Sequence, residues 1–294
     1  MECTLCPRQC HAQRTETQGN GYCHVGTLPM VSRAAAHHWE EPCISGTKGS
    51  GTIFFSGCTM RCAFCQNAVI SHQPNGKMCT AKELATLFQR IASLGVHNIN
   101  LVNPTHFAPT VLEALALANC SLPVVWNSSG YESVAMVEEA SPFVDIFLPD
   151  LKFASPQSAL SIAHAPDYPQ VAKQAIQAMC KATGLPKYDQ NGMLLAGTLV
   201  RHLVLPMRTH ESLQLLDWIS TDLPKGTPVS LMCQYTPMNG ITIKGLDRKL
   251  TAREYDRVVA HMLMLDLPGY TQEKTSATDV YTPTFMDEDS LQYM

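Results

Sequence analysis

Cys58, Cys62 and Cys65 close the stretch Gly51-Thr-Ile-Phe-Phe-Ser-Gly-Cys58-Thr-Met-Arg-Cys62-Ala-Phe-Cys65, with the spacing C-x3-C-x2-C. A closed structural metal site takes four protein ligands, whereas a site that acts on a bound molecule keeps one position open. Three thiolates on a compact loop can hold three corners of a cubane iron–sulfur cluster and leave the fourth iron free. Such an iron can bind a small molecule directly and pass it an electron. A chance trio of buried thiols, or part of a zinc site, would not require three cysteines within eight residues directly after an apolar run.

A second group, Cys3, Cys6, Cys10 and Cys23, is spaced C-x2-C-x3-C-x12-C. Four thiols can close a zinc site or hold a second iron–sulfur cluster. A segment of about twenty residues cannot build its own core, so a metal would be its natural staple. Redox-active or reduced thiols, and incidental packing, are the alternatives. His11 and His24, each beside a cysteine, could substitute as ligands. Cys43, Cys79, Cys120, Cys180 and Cys233 are scattered and read as small core hydrophobes.

The elements that must position these groups alternate between two patterns. Short apolar runs at residues 52–56, 97–102, 123–127, 144–149, 199–205 and 229–233 read as parallel strands covered on both faces. Helical patterns fall between or after them at 84–94, 107–118, 131–139, 168–183, 211–220 and 255–265. Thr80 with Glu83, and Thr251 with Glu254, read as capping boxes. This alternation predicts an α/β fold with right-handed crossovers. An open (β/α)6 partial barrel fits better than a closed eightfold one, since no seventh or eighth unit is visible; a doubly wound sheet is the competing architecture. Either way, chemistry belongs at the C-terminal strand ends, where the cysteine loop lies. Residues 152–183 are long for a crossover and suggest a lid or substrate wall, and 184–196 read as an exposed turn.

Bulk properties bound the reading. The 294 residues suffice for a Cys-rich segment (1–48), one core domain (49–270) and a short tail (271–294). Net charge is −4, and the tail holds the whole acidic excess, as expected for a solvated extension. No basic stripe suggests nucleic acid, and no apolar run has membrane length. Twelve cysteines without a signal-like start suggest metal or redox use in a reducing compartment, with the cytoplasm expected.

Phe64 immediately before Cys65 completes a signal that resembles the radical S-adenosylmethionine (SAM) superfamily. The wider pattern resembles the radical SAM proteins related to pyruvate formate-lyase activating enzyme. It comprises Cys3-x-x-Cys6-Pro-Arg-x-Cys10, Gly21-Tyr-Cys23, the run from Ile44 to Cys58, Cys65-Gln-Asn, the stretch from Asn98 to His106, Trp126-Asn-Ser-Ser-Gly-Tyr131, Asp150-Leu-Lys152 and Val200-Arg-His-Leu-Val-Leu-Pro206. The resemblance covers roughly residues 3–270 and implies a [4Fe–4S] cluster on Cys58, Cys62 and Cys65 whose fourth iron chelates SAM. One-electron cleavage would then yield a 5′-deoxyadenosyl radical that abstracts hydrogen from a substrate.

By the same resemblance, Phe64 packs near the adenine, and Asn103 stands where relatives carry a Gly-Gly-Glu run for the methionine amino group. Asn127, Ser128 and Ser129 offer polar contacts to the methionine or ribose. Asp150 and Lys152 form a strand-end element, and Arg201 pairs with the SAM carboxylate. Structural alternatives are a helix cap for Asn103, a solvated ion pair for Asp150 with Lys152, and a surface position for Arg201, although its apolar strand context argues for a buried partner. A flavodoxin or ferredoxin is the expected donor, and a glycyl-radical enzyme, a peptide or a small molecule the expected substrate. A non-catalytic iron–sulfur electron-transfer protein and a zinc scaffold are the readings from other classes.

Overall fold

The computed structural model describes residues 2–237, 240–273, 276, 283–285 and 287–294. Its centre is a run of parallel strands in chain order: Ser50–Phe55 (β2), Ile99–Val102 (β3), Val124–Ser128 (β4) and Ile146–Pro149 (β5), then Leu194–Thr198 (β6) and Val200–Leu203 (β7), then Val229–Met232 (β8) and Gly269–Thr271 (β9). Met30–His37 (β1) pairs antiparallel with β2 at the front edge. The chain from β6 into β7 runs alongside β5 throughout. Gly197 and Thr198 pair with Ile146 and Phe147, Leu199 N donates to Phe147 O at 3.0 Å, and Leu151 N donates to Arg201 O at 2.7 Å. The two hydrogen-bonded sheets are thus one curved surface, joined by the Asp150–Arg201 bridge.

Because the strand order never reverses, the sheet has no switch point of the doubly wound kind. All six expected strands and all six expected helices are present, the helices being Ala81–Ala92 (α1), Ala108–Ala118 (α2), Val134–Ala140 (α3), Tyr168–Thr183 (α5), Thr209–Asp222 (α6) and Ala252–Met264 (α7). Both capping boxes form: Thr80 and Thr251 accept from the N–H groups of Glu83 and Glu254, whose carboxylates reach back to the Thr N–H groups.

Four features correct the sequence reading. A short further parallel strand, β9, follows α7, where no seventh unit was visible. Residues 184–196 are not wholly a turn: Lys187–Tyr188 pairs antiparallel with β6. The 152–183 insertion holds a helix, Pro156–Ala163 (α4), before α5. The tail was expected to be solvated, yet its described part docks. Arg33 Nη1 donates to Thr284 O at 3.0 Å and to Ser290 Oγ at 3.1 Å, Phe285 packs edge-on to Phe54 at 5.3 Å, and Ser290 is buried. Of its acidic residues, Asp279 lies outside the described residues.

Period-two alternation along the strands sorts side chains onto two faces. Ile53, Phe55, Leu101, Trp126, Phe147, Val200 and Leu231 join the main core, which includes the apolar faces of the helices. On the other face Val125, Ile146, Leu148, Leu194 and Leu199 cluster with Cys43 and Ile44 from the turn Pro42–Ser45. That apolar plug closes the inside of the curved sheet. Residues 30–48 thus contribute to the core that the parallel strands build, and Cys23 and Val25 ahead of β1 join it as well. Two residues further along β4, β5 and β7 the inward positions become Asn127, Asp150 and Arg201, so the sheet changes from apolar base to polar rim within one pleat repeat.

The α1 capping box gives a test of the local signal: Thr80→Ala should lower the unfolding free energy by about 1 kcal/mol, read by urea denaturation with an unchanged m-value.

Candidate active site

The cluster loop leaves β2 through Gly57, at φ +79°, and Arg61, at φ +47°. These left-handed turns fold Cys58, Cys62 and Cys65 back over the C-terminal strand ends, where all three line one cavity of about 270 Å³. Phe64, Asn103, Asn127, Ser128, Ser129, Asp150, Lys152 and Arg201 line the same cavity. Every residue inferred for this site from sequence is thereby brought to one place from five strand ends.

Two donors reach the sulfurs: Met60 N–H to Cys58 Sγ at 3.3 Å and Ser71 Oγ–H to Cys65 Sγ at 3.3 Å. Hydrogen bonds of this kind to cysteine sulfur tune an iron–sulfur cluster. Burial pushes the Cys62 thiol up to about 12, with Lys152 opposing, and raises Cys65 as well. The thiolate forms thus need a cation at the sulfurs, and metal loading would release protons. Among the described residues no three His, Cys, Asp or Glu side chains converge as ligands of a single ion. A cubane takes each thiolate on a different iron and so tolerates the wider spread. The donor set, its sulfur-directed hydrogen bonds and the buried, unpartnered Ser129 Oγ at the cavity wall fit a cluster with a polar molecule beside it.

Asn103 serves the loop and not a helix. It sits at φ +61°, its Nδ2 donates to Gly57 O at 2.7 Å, and the Cys58 thiol points at its Oδ1 at 3.9 Å. Close by, His106 Nε2 meets Ser56 O at 2.8 Å. Burial pushes this imidazole down to about 4, so it is neutral, and only a protonated Nε2 can donate to that carbonyl. Both contacts fix the exit of β2.

Arg201 is held by three protein acceptors. Its Nε donates to Asp150 Oδ1 at 2.9 Å, Nη1 to Glu40 Oε2 at 3.2 Å and Nη2 to Asn127 Oδ1 at 2.5 Å. Three of its five N–H groups are thus engaged by protein acceptors, while Arg201 still lines the cavity. Lys152, bonded to Asp150 and within electrostatic reach of Cys62, is the cation nearer the thiols. Burial alone would raise Asp150, but Arg201 and Lys152 outweigh it and hold the carboxyl below its usual range. The pair Asp150–Lys152 is largely withdrawn from solvent, its side chains 18% and 17% exposed.

Three contributors escaped the sequence reading. Glu40, from the turn before the plug, accepts from Arg201 and from Asn100 Nδ2 at 3.2 Å. Tyr168 places its hydroxyl 2.7 Å from Asp150 O and 2.8 Å from Ser129 O while accepting Lys152 N–H at 2.9 Å. Glu132 is buried between Thr105 Oγ1, at 2.8 Å, and Ser128 Oγ, at 2.9 Å. Only Glu132 carried a local signal, four residues after Ser128; the partners of Glu40 and Tyr168 are distant in sequence.

Comparison with known proteins gives the class first. Residues 44–158 match the family described as a 4Fe-4S single cluster domain. An uncharacterized protein of Methanocaldococcus jannaschii is 28% identical over 280 residues, covering 90% of this chain and 76% of that protein. The 7-carboxy-7-deazaguanine synthase of Rhodopirellula baltica is 27% identical over 158 residues, 54% of this chain and 56% of that enzyme. A radical SAM methyltransferase from Sphaerobacter thermophilus shares the fold at a TM-score of 0.53 and 13% identity, covering 75% of this chain and 66% of that one. Residues 44–158 are therefore similar to a 4Fe-4S single cluster domain, and the chain shares its parallel-sheet fold with a radical SAM enzyme. Its C-x3-C-x2-C stands at the end of the first parallel strand, the spacing by which the chain resembles the radical SAM superfamily.

Two outcomes test the buried charges. Arg201→Gln should cost about 3–5 kcal/mol, because Asp150 and Glu40 lose their shared cation. Adding Glu40→Gln should recover part of that loss in a double-mutant cycle; unchanged stability with weakened SAM binding would instead make Arg201 a ligand. Burial raises Glu132 to about 7, against hydrogen bonds from Thr105 and Ser128. Between about pH 4.5 and 7 the folded state thus holds a proton that the unfolded chain has lost, and stability falls as pH rises through that window. Glu132→Gln should flatten this slope in denaturation measured from pH 5 to pH 8.

Proposed function

We propose that this chain is an enzyme that cleaves SAM by one-electron reduction at a [4Fe–4S] cluster on Cys58, Cys62 and Cys65, and that it activates a peptide segment of a partner protein, a glycyl-radical enzyme being the type the family resemblance implies. The observation that carries this reading is the convergence of three thiols, lacking a fourth, with the polar ends of the parallel strands around one cavity. When bound, the cluster supplies the electron that breaks the sulfonium bond and so gives a carbon radical able to abstract hydrogen.

The chain's own residues bind, orient and exclude water. Cys58, Cys62 and Cys65 would hold the cluster and leave it one position open for the amino and carboxylate groups of SAM. The Lys152 ammonium, fixed by Asp150, offers positive charge to that carboxylate. Asn127 and Ser129 present an amide and a hydroxyl at the strand ends, the amide anchored by Arg201. Phe64, edge-on to Phe153 at 6.3 Å and to Tyr235 at 6.0 Å, forms an aromatic wall for the adenine.

The substrate enters past His37, Trp39, Gln66 and Gln234, which line the same cavity. Trp39 is 60% exposed; an aromatic ring beside amide side chains suits an extended peptide. Among the described residues no helix is long and apolar enough to cross a membrane. A flavodoxin or ferredoxin in a reducing compartment such as the cytoplasm is the proposed donor.

Anaerobic protein reconstituted with iron and sulfide should release 5′-deoxyadenosine from SAM on dithionite addition, and Cys58→Ala should release none. Lys152→Met should weaken SAM binding about tenfold, near 1.4 kcal/mol, with iron content unchanged. Full iron loading without 5′-deoxyadenosine would favour an electron-transfer protein, and zinc without iron a scaffold.

A further inference from the structure

The geometry points to a second iron–sulfur centre on Cys3, Cys6, Cys10 and Cys23, fully ligated by protein and seated against the loop that carries Cys58, Cys62 and Cys65. The four thiols come together through local structure unrelated to the cavity. Glu2–Cys3 pairs with Ala12–Gln13, which sets Cys3 opposite Ala12. Gln9 at φ +40° and His11 at φ +51° fold the chain sharply on either side of Cys10. Gly21 lets the next strand of chain approach: a Cβ there would lie 2.9 Å from Ala12 Cβ and 3.2 Å from Cys10 Sγ. His24 at φ +60° turns the chain directly after Cys23. Cys6 ends within electrostatic reach of Cys3, Cys10 and Cys23.

The buried Arg14 completes the arrangement. Its Nη1 lies 3.6 Å from Cys3 Sγ while Nε donates to Val25 O at 3.2 Å and Nη2 to Gly26 O. A buried guanidinium beside Cys3 and within electrostatic reach of Cys23 offsets the negative charge that a tetrathiolate centre carries.

Iron–sulfur chemistry is favoured over a zinc ion by the spread of the thiols. Zinc draws four sulfurs to about 2.3 Å from one point, and no three potential ligands among the described residues are so placed. The triad has the same character. Both groups suit a cubane, the quartet with all four irons capped and so without an open position for SAM or substrate.

The lobe also grips the triad loop. Arg8 Nε donates to Thr59 O at 2.8 Å, and its other nitrogens donate to Ala163 O and His164 O. Tyr22 Oη–H donates to Met60 O at 3.3 Å, beneath the Arg8 guanidinium 4.1 Å from its ring centroid. Arg61 Nη1 meets His24 Nε2 at 2.9 Å. Cys23 O packs so closely on Gly57 that a Cβ at Gly57 would come within 2.7 Å of it. Only the Gly57 backbone separates that contact from Cys58, which sets the two cysteine groups side by side.

Iron, sulfide and zinc analysis of the anaerobically purified full chain tests this. Wild type should hold about eight irons and eight sulfides, corresponding to two [4Fe–4S] clusters. A Cys58/Cys62/Cys65→Ala triple variant should keep about four irons, as should a Cys3/Cys6/Cys10/Cys23→Ser variant. If the quadruple variant does not fold, the triple variant decides: four residual irons support the second centre, and none overturns it. One zinc beside four irons in wild type, or four irons with four titratable N-terminal thiols, overturns it as well. Failure of the SAM-cleaving reading would show separately, as no 5′-deoxyadenosine from fully loaded protein.

Discussion

The Arg201 guanidinium has exchanged water for three acceptors supplied by three other stretches of chain: Asp150 at the end of β5, Asn127 in β4 and Glu40 from the turn before the plug. Burying a charge in this way is costly unless every partner is in place, and losing one partner strands the others in low dielectric. The hub therefore penalises any register of β5 against β7 other than the one observed, since a one-residue slip would turn Arg201 toward the helices. It also sets the boundary between the apolar plug below and the polar rim above.

From that hub the site is assembled outward by contacts that each join two strand ends. Tyr168 binds the carbonyls of Ser129 and Asp150, and Asn103 and His106 hold the exit of β2. The cluster loop is then gripped on its far side by Arg8 and Tyr22. Cys58, Cys62 and Cys65 thus stand between a rigid polar floor and an N-terminal lobe, which is how a loop with two left-handed turns keeps three sulfurs aimed at one cavity. The uneven charge follows from the same construction. Lys152 faces the sulfurs because Asp150, held ionised by two cations, fixes it there.

Much of this was legible in the chain. Strand and helix positions follow from runs of Val, Ile and Leu and from two Thr-x-x-Glu boxes, all signals confined to a few residues. The cysteine loop is equally local. The tail was misread because its acidity suggested solvation, whereas Asp287 and Ser290 meet Arg33 across the whole length of the chain. The β9 strand was missed because three residues carry too little pattern to register. Arg201 was read rightly as needing buried partners, but Asp150, Glu40 and Asn127 were not legible as those partners, because a guanidinium in an apolar strand announces only that it has acceptors.

The sequence alone determined the type of chemistry: three thiols in eight residues fix their own mutual proximity, and no distant contact is needed to recognise an open cluster site. The alternation of elements likewise determined that this loop follows a parallel strand. Only the tertiary structure decided which cations line the cavity, which carboxylates pair with them, and that the N-terminal cysteines lie against the first three. Those outcomes rest on pairs such as Glu40 with Arg201, 161 residues apart, and chain closure over that distance leaves no trace in local periodicity.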